Sequence, residues 1–237
     1  MDEKYFIWNG RLGPIMLSIS NATFTPSTVS ALIANELDIQ KGDSIIDVGC
    51  GAGILSIIAA KLGAKSIAAV DKSPDVVEVG THNAQLNRVA DQIMFYNGDL
   101  FGPFSDDIQF DVIIGDVSGI PDALADSSGW FPLGRGGGVS GSELPIRMLQ
   151  NAASRLSRRG RLLLPTGTLQ DEAAILDTAR SLYKRVRILN ERRIPLPTNL
   201  AESEVVANLV GAGTISISPK GSRYFWEARV WEISAPV

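Results

Sequence analysis

Short apolar runs alternate with segments of helical spacing through the middle of the chain. The runs typical of buried strands lie at 44–48, 67–70, 92–96, 110–114 and 161–165. Apolar residues at helical spacing predict a helix over 54–62 that ends at Gly63, and a second that is capped by Ser73, has Pro74 at its first position and runs to about Asn87. Strands that alternate with helices indicate βαβ units and a parallel sheet.

The second half of the chain changes this pattern. Residues 116–141 predict a long loop, of the kind that is usually functional, and a helix then starts near Ser142 and stops at Gly160. A helix is predicted over 169–183 and a strand over 186–189. Residues 214–217 and 224–233 alternate like antiparallel strands across a turn at 219–222. The prediction is an α/β fold whose mostly parallel sheet ends in an antiparallel C-terminal pair.

Residues 1–40 precede the first predicted strand, and we interpret them as an N-terminal appendage to a domain at 41–237. Three aromatic residues, Tyr5, Phe6 and Trp8, lie close together in this appendage. They are expected to pack against the main domain, and the alternative is an aromatic cover over a ligand.

Composition narrows the class of protein. Hydrophobic residues make up 45% of the 237 positions and charged residues 20%, which is typical of a globular domain. No apolar run has the length of a membrane span, and the first ten residues lack a secretory signal, so a cytoplasmic location is expected. A single cysteine and a single histidine exclude a disulfide framework and argue against a metal site built from these residues.

Charge is distributed unevenly along the chain. The net charge of −4 argues against broad nucleic-acid binding. Residues 89–134 contain eight aspartates and no lysine or arginine, whereas residues 150–195 contain ten basic and four acidic residues. Both stretches fit solvated surface, but the acidic one also fits a site for a cationic ligand. The basic cluster at 155–161 is expected to be a solvated helix end, and its alternative is a footprint for RNA.

A glycine-rich segment, Asp47-Val48-Gly49-Cys50-Gly51-Ala52-Gly53, follows the first predicted strand and precedes a helix. Its glycines let the backbone turn tightly and approach a ligand, and the helix start beyond them offers unpaired N–H groups. The spacing is G-x-G-x-G, because Ile54 stands where a dinucleotide-binding loop has its third glycine. The carboxylate of Asp47 would repel a pyrophosphate and suits an ammonium or sulfonium ligand.

The stretch IIDVGCGAGILSIIAAKLGAKSIAAVDKSP resembles the first two motifs of class I S-adenosylmethionine-dependent methyltransferases, and Gly98-Asp99-Leu100 extends the likeness. The resemblance implies a Rossmann-like fold with a seven-stranded sheet, and S-adenosylmethionine as cofactor. It implies that Asp71 binds the ribose hydroxyls beside Lys72, and that Asp99 binds the adenine amino group while Leu100 packs on the ring. The glycine loop would hold the methionine part through Asp47, Gly49, Cys50, Gly51 and Gly53.

Three further segments resemble the branch that includes the release-factor glutamine and ribosomal-protein L11 methyltransferases. They are Phe24-Thr25-Pro26-Ser27-Thr28, GILSIIAAKLGA and GGGVSGSELPIRML. The first implies a cofactor-covering segment, with Thr25 as a contact. That branch usually carries Asn-Pro-Pro-Tyr after its fourth strand, and this chain has Asp116-Val117-Ser118-Gly119 there. Asp116 is our candidate for contacting the cofactor and for orienting the acceptor or taking its proton; the alternative is a structural aspartate.

The resulting hypothesis is methyl transfer to a small molecule or a protein side chain, with nucleic acid unlikely as a partner and tRNA or rRNA as a subordinate option. Two other classes stay open. The cofactor pocket could serve aminopropyl transfer or an intramolecular cyclisation, both of which release methylthioadenosine, or it could belong to a binding module without catalysis. The loop at 116–141 is a candidate lid, with flexible points at 134–138. The acceptor and the oligomeric state do not follow from the sequence.

Overall fold

The protein is described by a computed structural model that covers residues 4–131 and 136–237. The strands in this part of the chain are β1 Lys4–Trp8, β2 Ile15–Ile19, β3 Ser44–Val48, β4 Ser66–Asp71, β5 Ile93–Asn97, β6 Phe110–Gly115, β7 Leu156–Gly167, β8 Tyr183–Leu196, β9 Ser218–Lys220 and β10 Arg223–Pro236. The α-helices are α1 Thr28–Glu36, α2 Ile54–Leu62, α3 Val76–Leu86, α4 Asp122–Ser128, α5 Glu143–Ala152, α6 Glu172–Leu182, α7 Thr198–Ala201 and α8 Glu204–Gly211.

The large sheet has the strand order β5-β4-β3-β6-β7-β10-β8, and the short β9 pairs with β10. Strands β3 to β7 pair in parallel with one another, whereas β10 is antiparallel to β7, β8 and β9. This arrangement confirms the predicted α/β fold with a mostly parallel sheet and antiparallel C-terminal strands. The carboxyl ends of β3 to β7 therefore meet at one edge of the sheet, which is where ligands bind in open α/β folds.

Helices cover both faces of the sheet because successive strand residues point to opposite sides. Ile45 of β3 belongs to a core shared with α1, α2 and α3, while its neighbour Ile46 belongs to a core shared with α5 and α6. A third, smaller core joins α4, α7 and α8 to the end of β8 through Leu124, Leu196 and Val206. This third core lies beside the carboxyl edge of the sheet and supports one end of the cavity described below.

The first half of the predicted pattern agrees closely with the observed elements, and α2 has the predicted bounds. The start of α3 is a correction: the helix begins at Val76 after Asp75, so neither Ser73 nor Pro74 holds its predicted position. The reason is that Pro74 and Asp75 form a turn, which is closed by the hydrogen bond from the backbone N–H of Val76 to the carbonyl oxygen of Ser73 at 3.3 Å. The loop at 116–141 also contains α4, whose Leu124 and Ala125 are buried.

The larger corrections concern β7 and the C-terminal strands. The helix expected to run from 142 to Gly160 ends at Ala152, and β7 already begins at Leu156, because Leu156 pairs with Phe110 of β6. The basic cluster at 155–161 is consequently not a helix end. The strand expected at 186–189 is the centre of the long β8, and the one expected at 214–217 is replaced by β9. The main antiparallel partners of β10 are β7 and β8.

The N-terminal segment packs on the main sheet through a hairpin, β1–β2, and through α1. Trp8 is buried in the first core, as expected for packing, whereas Tyr5 on the same strand is 49% exposed. The fully buried Asn83 of α3 links this hairpin to the glycine loop, because its side-chain amide donates to the backbone oxygens of Ser18 and Ala52, both at 2.9 Å. The division of the chain at residue 40 remains a proposal.

The described residues contain neither a candidate membrane span nor a candidate metal cluster. No helix among them combines the length and the apolar character that crossing a membrane requires. No group of three or more histidine, cysteine, aspartate or glutamate side chains in residues 4–131 and 136–237 is arranged to hold a metal ion.

Candidate functional site

A cavity of about 540 Å³ lies at the carboxyl edge of the sheet. It has two halves, because it extends over the ends of β3, β4 and β5 on one side and over the ends of β6, β7, β10 and β8 on the other. Of the residues selected from the sequence, those that border it are Thr25, Gly49, Asp71, Lys72, Asp99, Leu100 and Asp116. Asp47, Cys50, Gly51 and Gly53 lie behind this wall, in or below the glycine loop.

The glycine loop turns because three of its residues have positive φ: Gly49 at +81°, Gly51 at +52° and Gly53 at +86°. The backbone N–H groups of Gly49 and Cys50 both donate to the carbonyl oxygen of Val70, at 2.8 and 3.1 Å. A Cβ atom at Gly49 would lie 2.3 Å from the carbonyl oxygen of Asp116, so only glycine fits there. The loop is thus clamped between the ends of β4 and β6.

Asp71 at the end of β4 holds this loop in place. One oxygen of its carboxylate accepts the N–H of Gly51 at 2.9 Å, and the other accepts the N–H of Ser73 at 2.8 Å. Each carboxylate oxygen retains acceptor capacity, and Asp71 borders the cavity. Its position allows it both to shape the glycine loop and to accept hydrogen bonds from vicinal hydroxyls in the cavity.

Asp99 is ion-paired on the rim of the same half. Lys72 Nζ lies 3.2 Å from one of its oxygens and Arg147 Nη2 lies 2.8 Å from the other. Partial burial opposes ionisation, but the hydrogen bonds from Arg147 and Lys72 hold the pKa of Asp99 below its usual value. Asp99 is therefore a permanent anion that can accept a hydrogen bond from an exocyclic amine. Arg147 lies within the segment GGGVSGSELPIRML, but its pairing with Asp99 depends on how α5 packs and does not follow from the sequence.

Asp47 and Cys50 are buried beneath the loop. Asp47 accepts a hydrogen bond from the Ser56 hydroxyl at 2.6 Å, while its other oxygen has no partner among the described residues. Burial, helped by the nearby charges of Asp116 and Asp71, raises the pKa of Asp47 to about 7. Burial, together with the negative charges of Asp47 and Asp71, raises the pKa of the Cys50 thiol. A thiol that stays protonated fits a packing role in the loop and not the role of a nucleophile.

Asp116 stands at the junction of the two halves, directly after β6. The hydroxyl of Ser30 on α1 donates to its carboxylate at 3.0 Å. Ser30 is itself part of a capping box with Ser27 at the start of α1, so the N-terminal segment positions this carboxylate. Burial, with the charge of Asp71, raises the pKa of Asp116 to about 6. A carboxyl group with this pKa can exchange a proton near neutral pH.

The second half of the cavity is lined by aromatic and aliphatic side chains with a few neutral polar groups. Trp226 of β10 pairs with Ile194 of β8 and both border this half, as do Trp130 and Phe131. Phe24 stacks on Phe131 with a centroid distance of 5.3 Å, so the N-terminal segment also covers this side. The place of Trp226 in this half does not follow from the sequence, because β8 and β10 meet the site only through the sheet.

The candidate lid falls partly outside the described residues, since Gly134 is not among them. The glycines that are described are held by close backbone packing: Gly137 donates to the carbonyl oxygen of Ile120 at 2.7 Å. A Cβ at Gly137 would lie 2.6 Å from the carbonyl oxygen of Ser118. Close approach of two backbone segments therefore explains the glycine at position 137.

The sequence is similar to known methyltransferases. The family model of ribosomal protein L11 methyltransferases (PrmA) matches residues 25–120. A ribosomal protein L11 methyltransferase of Anoxybacillus flavithermus is 42% identical over 92 residues, which are 39% of this chain and 29% of that protein. The match thus spans less than a third of the length of that relative. A putative protein N5-glutamine methyltransferase of Methanocaldococcus jannaschii is 29% identical over 184 residues, covering 76% of this chain and 90% of that protein.

Solved structures share the fold at low sequence identity. The ribosomal protein L11 methylase of Lactobacillus delbrueckii subsp. bulgaricus superimposes with a TM-score of 0.55 and 19% identity over 90% of this chain and 81% of that one. The tRNA m1G37 methyltransferase of M. jannaschii superimposes with a TM-score of 0.58 and 15% identity, over 99% of this chain and 58% of that one. The resemblance predicted from the glycine loop and the strand-end aspartates is confirmed. The chain has the fold of class I S-adenosylmethionine-dependent methyltransferases, and in sequence it is related to the branch that contains the L11 and N5-glutamine methyltransferases.

Proposed function

We propose that the protein transfers a methyl group from S-adenosylmethionine to a small molecule or a protein side chain. The observation that carries this proposal is the two-part cavity, in which strand-end carboxylates line one half and aromatic, uncharged side chains line the other. The first half fits the cofactor: Gly49 borders it without a side chain, and Asp71 and Asp99 offer acceptors for hydroxyl and amino groups.

The role that we propose for each residue depends on which half of the cavity it borders. Bound S-adenosylmethionine supplies a methyl group on a positively charged sulfur. Asp71 and Asp99 would hold the nucleoside, with Leu100 against the base and Thr25 as part of the cover. Asp116 faces the junction, where it would orient the acceptor and accept its proton if the acceptor begins protonated. The stack of Phe24 on Phe131 would keep water out of this junction.

We propose the class of acceptor from the acceptors for which the relatives are named. The N5-glutamine and L11 methyltransferases are named for protein acceptors, and they support a protein side chain. A nucleic acid is the second candidate, because the sequence argument that made it unlikely finds no support among the relatives in fold, one of which acts on tRNA. The exposed arginines Arg192 and Arg193 on β8 precede Ile194, which borders the cavity, and offer such an acceptor a basic surface there.

The proposed reaction is tested with the purified chain and methyl-labelled S-adenosylmethionine, supplied with three separate pools: a ribosomal protein fraction, bulk tRNA and a low-molecular-weight extract. We expect S-adenosylhomocysteine as product and label in the protein or the small-molecule pool. Label in tRNA would replace the first candidate by the second. Methylthioadenosine would establish aminopropyl transfer or cyclisation instead, and failure to bind the cofactor or its demethylated form would contradict the proposal.

The raised pKa values predict that affinity for the sulfonium cofactor depends on pH. A positive charge stabilises ionised carboxylates, so binding of S-adenosylmethionine should lower the pKa of Asp116 from about 6 and that of Asp47 from about 7. Both groups are protonated below these values and ionised above them. Affinity should therefore rise about tenfold between about pH 5 and pH 8, while affinity for the uncharged sulfur of S-adenosylhomocysteine rises much less.

Calorimetric titrations of the two ligands in buffers of different ionisation enthalpy measure this difference and the protons released. Asp116→Asn should remove most of the difference in pH dependence between the two ligands. Asp126→Asn, at an exposed position of α4, should leave that difference unchanged. Parallel pH profiles for the two ligands would mean that neither carboxylate senses the sulfur.

A further inference from the structure

The side chain of Gln170 borders the second half of the cavity and carries a buried amide nitrogen without a hydrogen-bond partner among the described residues. The residue is only 8% exposed. A buried donor left unpaired costs about 1–3 kcal/mol, so such groups call for an explanation. The loop that carries Gln170 lies between β7 and α6, outside every motif found in the sequence.

The carboxamide of Gln170 is placed by the segment that follows β6. A Cβ atom at Gly119 would lie 2.5 Å from Gln170 Oε1 and 3.5 Å from Nε2, so the carboxamide occupies the space that a side chain at position 119 would fill. Gly119 is three residues after Asp116, and both border the cavity. The carboxamide therefore stands next to the junction where an acceptor would meet the methyl group.

The residues that line the cavity around Gln170 are uncharged, and the nearby Glu172, which does not line it, is held in an ion pair with Arg229. Thr166, the nearest polar lining residue along the chain, already donates to Glu172 at 2.5 Å and accepts from the Trp231 indole at 2.7 Å. Beyond Asp116, the described lining residues of this half include no lysine, arginine, aspartate or glutamate. An ion without a partner would be costly there, whereas a flat neutral group can pack on Trp226 and Phe131.

We propose that Gln170 is the acceptor-recognition residue, and that its carboxamide binds an uncharged, planar group that carries a hydrogen-bond donor and an acceptor side by side. A carboxamide can meet such a group with both its nitrogen and its oxygen, since rotation about its last bond exchanges the two atoms at low cost. This inference rests on the proposed function, because it assigns the second half of the cavity to the acceptor.

Three small probes of the same shape test the assignment: benzamide, which is neutral and has both donor and acceptor, benzamidinium, which has donors only, and benzoate, which has acceptors only. Each is titrated by NMR into the protein saturated with S-adenosylhomocysteine. The wild-type protein should bind benzamide at least about tenfold more tightly than benzoate. Gln170→Glu should reverse the preference toward benzamidinium, which pairs with a carboxylate through two hydrogen bonds. Gln170→Leu should weaken benzamide binding about tenfold.

Gln150→Glu is the matched control, because it introduces the same charge at an exposed position of α5 and should not alter the order of the probes. Affinity for S-adenosylhomocysteine, measured on the same samples, should be unchanged in all variants, whereas the unfolding temperature should fall for Gln170→Glu, which buries a charge, and not for Gln150→Glu. Absence of benzamide binding to the wild type, or an order of probes that Gln170→Glu does not change, would overturn the inference while leaving the cofactor site intact. Loss of S-adenosylhomocysteine binding by the wild type would contradict the proposed function itself.

Discussion

Replacing Asp71 by alanine should weaken binding of S-adenosylhomocysteine at least about tenfold, as measured by calorimetry. The substitution removes the proposed acceptor for the ribose hydroxyls. It also releases the N–H groups of Gly51 and Ser73, which the carboxylate now accepts at 2.9 and 2.8 Å. Hydrogen bonds to a charged group contribute about 1.5–3 kcal/mol each, which corresponds to factors of ten or more.

Two variants separate the ribose contact from the shape of the loop. Asp71→Asn retains one oxygen for the loop but has lost the charge and one acceptor, so its affinity should lie between those of the wild type and the alanine variant. Asp91→Ala changes an exposed aspartate near β5 and should bind as the wild type does. An Asp71→Ala protein with wild-type affinity would remove Asp71 from the cofactor site.

Replacing Gly49 by alanine should have the largest effect on both folding and binding. A Cβ atom there would lie 2.3 Å from the carbonyl oxygen of Asp116, and that atom is backbone, which cannot rotate away. The φ of +81° adds strain for any residue with a side chain, about 1–3 kcal/mol. We expect the free energy of unfolding to fall by about 3 kcal/mol or more and cofactor affinity to fall about a hundredfold, because the junction at Asp116 must move.

Gly213→Ala is the matched control, since Gly213 has a similar φ of +74° but no atom lies within 4 Å of the position that its Cβ would take. It measures the cost of the backbone conformation alone, in an exposed turn after α8 that does not border the cavity. The difference between the two variants in urea unfolding then gives the cost of the close approach between the glycine loop and Asp116. Equal costs would mean that the loop and the end of β6 do not touch in solution.

The half of the cavity that we propose for the cofactor could be located from the sequence, because its residues follow one another along the chain. Gly49, Asp71 and Asp99 each lie at or just after the end of a strand, and the carboxyl ends of neighbouring parallel strands meet at one edge of the sheet. Local signals of turn and helix were therefore sufficient to place them. The pairing of Asp99 with Arg147 was out of reach, because it depends on how α5 packs across the sheet.

The second half could not be predicted because its residues come together only through long-range pairing. Trp226 and Ile194 face the cavity because β10 lies antiparallel between β7 and β8, and the alternating pattern at 224–233 gave no indication of its partner. The extent of β7 was missed for a similar reason: the arginines near Gly160 resemble a helix end, but Leu156 is already paired with β6. Gln170 carried no sequence signal, since its environment depends on the space left at Gly119.

The most direct test of the account is a crystal structure of the protein with S-adenosylhomocysteine. We predict that the ribose hydroxyls lie within hydrogen-bond distance of the Asp71 carboxylate, that the adenine amino group faces Asp99, and that the sulfur points past Asp116 toward the half of the cavity lined by Trp226 and Gln170. A nucleoside bound elsewhere, or one whose sulfur faces away from Asp116, would contradict the division of the cavity on which the proposed function depends.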